Sequence, residues 1–290
     1  MVTGRENLGN DDRHTKSADQ KLEEAPARDR SAIDAGSRAR AALIHEIIRA
    51  DGETELHRPA SALLLSGFAA GLSMGFSLIL SGAVMERLPE GAASRMLADL
   101  GYTFGFLVVV LGRQQLFTEN TLTPILPLLY HRTAEVLWKV SRLWGLVLAA
   151  NITATWVIAA VLAHGPGFTP EVKAAFAELS RHAIDKPFLT TLVKAVYAGW
   201  LIALMVWLLP ASETARPWII ILVTYAIALG GFSHIIVGSV DAAYLVFRGE
   251  AGIGTYVGAF FVPTLIGNVI GGVTLVAALN YGQVAEEIEE

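Results

Sequence analysis

Two segments of this 290-residue chain are long and apolar enough to cross a bilayer, and each is interrupted in its middle by polar residues: GRQQLFTEN within 96–129 and GGFSHIIVGS within 217–247. Unpaired backbone N–H and C=O groups are costly in hydrocarbon, so a broken span survives only where protein or a water-filled cavity covers the break. Two such breaks in one chain predict a helical bundle closed around a cavity.

Four uninterrupted apolar blocks, 61–85, 136–163, 188–210 and 254–279, accompany the two broken ones. Each is close to the roughly 20 residues that cover about 30 Å of hydrocarbon. Hydrophobic residues make up 53% of the chain and charged residues 17%, with a mean hydropathy of +0.48, more apolar than one soluble core needs. The chain therefore reads as an all-α integral membrane protein with a domain of six transmembrane helices at 56–281. A polar N-terminal tail occupies 1–55 and a short acidic one 282–290. The tail is too polar for the apolar core of a signal peptide. It is expected to be partly disordered, with 29–50 either an amphipathic surface helix carrying Leu43, Ile47 and Ile48 on one side or a solvated one. The absence of cysteine rules out disulfides, thiolate metal sites and a cysteine nucleophile.

Ten of the 22 Lys and Arg residues precede the first apolar block, which places the N-terminus in the cytoplasm of a bacterial inner (plasma) membrane. Six spans bring the C-terminus back to that side. The segment 164–187 then lies outside, with a short helix expected from Pro170 to His182 and Thr169 as its N-cap.

The halves of the chain repeat. Phe117 and Asn151 are 34 residues apart, as are His234 and Asn268, so both pairs share an offset of 117. Three spans thus repeat as three. An odd number of spans inverts the second copy, and inverted repeats place substrate sites near the midplane at discontinuous helices. Small residues at spacing four (Gly67, Gly71, Gly75) and around Asn268 (Gly267, Gly271, Gly272) suit close backbone packing between spans.

Few residues can carry chemistry. His234 alone among the seven histidines lies near the middle of a span, and an ionisable group there is costly unless it faces a cavity or pathway. Glu119, Arg113 and Asp241 are the other deep ionisable groups. Arg113 either pairs with Glu119 or reaches to the interface. Asp241 lies two turns beyond His234 on the same helical face, or marks the wet end of the span. No nucleophile–base pair, metal cluster or paired carboxylates occupy the breaks, so an enzyme is the least expected class. No cofactor, metal or nucleic-acid partner is expected.

Leu116-Phe117-Thr118 in the first break, Gly231, Phe232 and His234 in the second, and Ile266-Gly267-Asn268 with Gly271 and Gly272 in the last span resemble the formate/nitrite transporter family over roughly 56–281. The resemblance implies an aquaporin-like fold, a homopentamer in the lipid bilayer with one path per protomer, and a small monovalent solute as permeant: formate, nitrite, lactate or hydrosulfide, as anion or protonated acid. It implies that Leu116 and Phe117 form apolar constrictions, that Thr118, Glu119, Asn120, Asn151, Asn268, Gly199 and Phe232 belong to the pathway, and that His234 faces the permeant.

The chain also departs from the family pattern. Gln115 replaces the acidic residue before Leu-Phe-Thr, and Glu119 a small residue after it. Ser233 stands for the acid before the His, Gly238 for an Asn a turn later, and Gly199 for the fourth-span Asn. The vestibule Lys falls on Ala183, leaving Lys186 or Arg181 as substitutes. Two unit charges about 4 Å apart interact by about 4 kcal/mol near a protein surface, enough to change which ion is welcome. Three functions follow: a weak-acid transporter using His234, a pore for an ammonium-like weak base selected by Glu119, or a sensor or structural subunit with no flux.

Overall fold

The structure, a computed structural model, describes residues 43–212 and 214–277. Helix α1 covers 43–56, α2 Ala60–Arg87, α3 Ala92–Leu111, α4 Ile125–His131, α5 Ala134–His164, α6 Pro170–Ile184, α7 Phe188–Leu208, α8 Arg216–Leu229, α9 Ile235–Phe247 and α10 253–277. No strand occurs among the described residues. The protein is a six-span, all-helical membrane bundle, its second span made of α3 and α4 and its fifth of α8 and α9.

The broken spans need both of their pieces. Helix α8 has 14 residues, about 21 Å at about 1.5 Å per residue, too short for about 30 Å of hydrocarbon. Helix α3 carries Arg95 and Asp99 in its first two turns, so its apolar part, from Leu100 to Leu111, reaches only about 18 Å. In α10, Pro263 removes a helical N–H, and the flanking stretches Tyr256–Phe261 and Ile270–Ala277 widen into π-helix.

The halves pack alike. Helix α2 lies on α5 and α7 on α10, while α3 against α8 and α9 against α5 join the halves. Glycine lets the first two pairs approach: a methyl built on Gly71 would sit 2.6 Å from the Ala154 Cβ, and one on Gly199 2.8 Å from the Asn268 Cα. Gly199 is thus the packing counterpart of Gly71, because each abuts the backbone of its half's buried Asn.

Both half-helices end the same way. In α3, Arg113 N–H bonds the Val110 carbonyl and Gln114 N–H that of Val109, with Arg113 left-handed at φ 49°. In α8, Gly231 N–H bonds Ala228 and Phe232 N–H bonds Ile227, with Gly231 at φ 57°. This six-to-one and five-to-two pattern closes a helix by satisfying its last carbonyls. The breaks therefore correspond with an offset of 118, one more than the asparagines, so Phe117 matches Ile235 and His234 matches Leu116. The sequence pairing of Phe117 with His234 is corrected by one residue.

Outside the spans, α6 begins after Thr169, whose side chain accepts from Val172 N–H at 3.4 Å, and runs two residues past the expected end at His182. In α1 the inward face holds His45, Ile48 and Leu56, while Leu43 and Ile47 are exposed, so the expected stripe of Leu43, Ile47 and Ile48 is not one face. Of the expected 29–50 helix, 29–42 lie outside the described residues, as do 1–28 of the N-terminal tail and the acidic 282–290.

Candidate functional site

Each break is held by one asparagine from the third span of its own half. Asn151 accepts from Phe117 N–H at 2.9 Å and donates to the Gly67 and Gln115 carbonyls at 2.7 and 2.9 Å. Asn268 accepts from Ile235 N–H at 2.9 Å and donates to the Ala195 and Ser233 carbonyls at 2.8 and 2.9 Å. A primary amide suits the task, having one acceptor and two donors for backbone groups that a broken helix leaves unpaired. Both asparagines are fully buried.

The breaks meet at Thr118 and His234. The imidazole Nδ1 accepts from Val237 N–H at 3.3 Å, capping α9, so the proton of the neutral ring is on Nε2, which donates to Thr118 Oγ at 2.8 Å. Phe106 stands edge-on to the imidazole, ring centres 5.0 Å apart. Thr118, His234, Leu116 and Phe117 are all buried, so the contact is dry.

On the α6 side of His234 lies a chamber of about 270 Å³. Its wall includes Phe232, Ser233 and His234 from the second break, Asp241 and Gly238 from α9, and Arg95, Asp99 and Tyr102 from α3. His182, Ala183 and Lys186 close it at the mouth. Of the two candidate replacements for a vestibule lysine, Lys186 lines the chamber, whereas Arg181 turns away to Glu250 at 2.8 Å. Burial and the neighbouring Lys194 push the Lys186 ammonium below its usual pKa, with Asp241 and Asp185 acting the other way.

The opposite side of Thr118 is polar and tightly bonded. Gln115 donates to Glu55 of α1 at 2.9 Å and accepts from Asn120 at 3.0 Å, and the Trp144 indole donates to the Asn120 carbonyl at 2.8 Å. Glu119 is half-buried with one carboxylate oxygen unpartnered, and no ion pair joins it to Arg113, which is exposed at the helix end.

Of the residues singled out from sequence, Leu116, Phe117, Thr118, Asn151, His234 and Asn268 come together at the two breaks. Phe232 lines the chamber, and Asn120 and Glu119 lie beyond Thr118. Gly199 faces the Asn268 backbone and is not part of the chamber wall. Sequence reasoning passed over Arg95, Asp99, Tyr102 and His182. The available signal was the pair Arg95 and Asp99 at the wet start of a broken span.

Six spans, two helix breaks each clamped from its own half and a dry histidine–threonine contact beside a chamber define a membrane pore of the inverted-repeat type. The sequence profile described as "Formate/nitrite transporter" matches residues 42–282. The chain is 43% identical over 250 residues to "Inner membrane protein YfdC" of Escherichia coli strain K12, covering 86% of this chain and 81% of that one. It is 26% identical over 242 residues to "Formate channel BtFdhC" of Bacillus thuringiensis, covering 79% and 89%. The structure superposes on a "Pentameric formate channel with formate bound" with a TM-score of 0.67 at 17% identity, covering 78% of this chain and 98% of that one. The chain belongs to the formate/nitrite transporter family: it is a membrane transport protein, not an enzyme.

Proposed function

We propose that the protein is a homopentameric pore of the bacterial inner membrane that passes a small weak-acid anion, formate or nitrite, together with a proton, one path to each protomer. The observation that carries this reading is the buried bond from His234 Nε2–H to Thr118 Oγ, 2.8 Å, where the two breaks meet. A bare anion crosses a dry contact poorly, whereas its neutral acid crosses without leaving a charge in low dielectric. Lys186 draws the anion into the chamber, and His234 and Thr118 offer it hydrogen bonds in turn. Leu116 and Phe117 keep the contact dry; Asn151 and Asn268 hold the backbone that carries it. The α1 side faces the cytoplasm, consistent with the basic N-terminal segment.

A second reading has one observation in its favour. Glu119 keeps an unpartnered buried oxygen and is not neutralised by Arg113. Such a carboxylate suits a small weak base of the ammonium type.

Liposomes containing the purified protein and offered labelled formate and labelled methylammonium under both signs of pH gradient separate the two. Formate uptake driven by an inward proton gradient and lost in His234→Ala supports the weak-acid pore. Methylammonium uptake lost in Glu119→Gly replaces it, and no flux of either solute refutes both.

A further inference from the structure

The chamber beside His234 contains two acids that the transport reading has not used. Six ionisable side chains face it: Arg95, Asp99 and Tyr102 from α3, His182 from α6, Lys186 from the loop after it, and Asp241 from α9. Two of the cations are engaged, Arg95 at 3.8 Å from Glu178 and Lys186 through its ammonium on the His182 carbonyl. Among the described residues, none forms a hydrogen bond or ion pair with Asp99 or Asp241. The hydroxyl of Ser233, a residue 6% exposed, is also without a partner. Buried polar groups left open toward a cavity lack the bonds that a solute or water would supply.

The two acids differ in depth. Asp99 lies twelve residues before the end of α3 at the first break, about 18 Å, whereas Asp241 lies six residues after the start of α9 at the second, about 9 Å. A solute coming from the mouth passes Asp99 first and Asp241 last before the dry contact.

We propose that Asp241 is the residue that hands a proton to the permeating anion in this chamber, a role that rests on the weak-acid reading above. The O–H bond of the protonated Asp241 carboxyl breaks as an O–H bond forms on the anion, which moves on as the neutral acid. Asp241 remains as a carboxylate and takes a proton back from water at the mouth. With formate as the anion, donor and acceptor are both simple carboxylic acids, so the transfer is nearly balanced in energy. The Ser233 hydroxyl and the Lys186 ammonium supply donors that hold the anion meanwhile.

The other titratable or charged groups around the chamber do not duplicate this role. Tyr102 is a far weaker acid than a carboxyl group. The basic groups Arg95, His182, Lys186 and nearby Lys194 stabilise the anion, and the neutral His234 ring lends its N–H from Thr118 to a passing solute as a hydrogen bond without releasing the proton. Helix α2 contributes only Ser77 and Ser81 with Leu78 and Met85, and α10 contributes Phe260. Ser77 and Ser81 spend their protons on the Tyr102 and Ala98 carbonyls at 2.7 and 2.8 Å.

The test is the initial rate of labelled formate entry into liposomes holding the full-length protein, inserted with the α6 side outward, over an outer pH of roughly 5 to 8. Asp241→Asn is expected to lower the maximal rate at least about tenfold near pH 7 with little change in KM, and to recover toward the parent near pH 5, where roughly a hundredfold more of the solute arrives as the neutral acid than at pH 7. Asp241→Glu keeps the parent profile. An equal loss for Asp241→Asn at every pH assigns Asp241 a structural role and overturns the proposal, as does an unchanged profile. A parent protein that moves no formate overturns the weak-acid reading as well, whereas an active parent with an unaltered Asp241→Asn profile overturns this inference alone.

Discussion

Replacing Asn268 by leucine, a residue of similar size without hydrogen-bonding groups, should loosen the second break while leaving its packing nearly filled. Three backbone groups lose their partner: Ile235 N–H and the Ala195 and Ser233 carbonyls, all now bonded at 2.8–2.9 Å. Side-chain hydrogen bonds inside membrane proteins average about 0.6 kcal/mol, and buried ones in general about 1 kcal/mol, so the set contributes roughly 2–3 kcal/mol. At about 1.4 kcal/mol per tenfold, local opening should become roughly 30- to 150-fold more frequent. Amide hydrogen exchange at 230–238 in detergent micelles reads this directly, with the first break, 112–120, as the internal control because Asn151 is untouched. Asn151→Leu should reverse the pattern. Unchanged exchange at 230–238 in Asn268→Leu would refute the argument that this side chain holds the break.

Other outcomes follow from single contacts. Thr118→Val leaves the Nε2 proton of His234 unpartnered in a buried site, at a cost of about 1–3 kcal/mol, and should slow solute flux by tenfold or more in the liposome assay. Gly71→Ala would push a methyl into Ala154 and should lower the yield of folded protein on size-exclusion chromatography, whereas Gly145→Ala, with nothing within 4 Å, should be neutral or stabilising. Lys186→Met should weaken formate capture, seen as a raised KM at low salt with the difference shrinking as ionic strength rises. Burial lowers the pKa of His45 in α1 below its usual 6.5, against the opposing charge of Glu46. The folded state then binds fewer protons than the unfolded one, so α1 docking is fully stable above about pH 6.5 and weakens as pH falls below it. Hydrogen exchange over 43–56 should accelerate at acidic pH, and His45→Phe, which keeps a ring against Trp207, should remove that dependence.

The path was legible where physical cost left the sequence few options. A polar break in a lipid-crossing segment demands a cavity, so the two interrupted spans and the depth of His234 were readable from residue order alone. The buried asparagines stood out through their spacing, although their offset differs by one from that of the breaks. That single residue was hidden because the register is written in backbone geometry: Arg113 and Gly231 share a left-handed turn that no residue type announces in the first case. Gly199 had a family counterpart that suggested a pathway residue, yet its environment is a helix crossing.

The sequence by itself determined the membrane class, the six spans, the breaks and the duplicated halves, because hydrophobic length and the need to pair every backbone group act locally along the chain. Only the tertiary structure decided which groups share the chamber. Asp99, Asp241, His182 and Lys186 come from three distant parts of the chain, and their meeting depends on how α3, α6 and α9 pack. It also decided that Arg181 belongs to Glu250, that Glu119 stands apart from Arg113, and that the proton of His234 points at Thr118, since each is a matter of distance between groups whose separation in sequence carries no information about it.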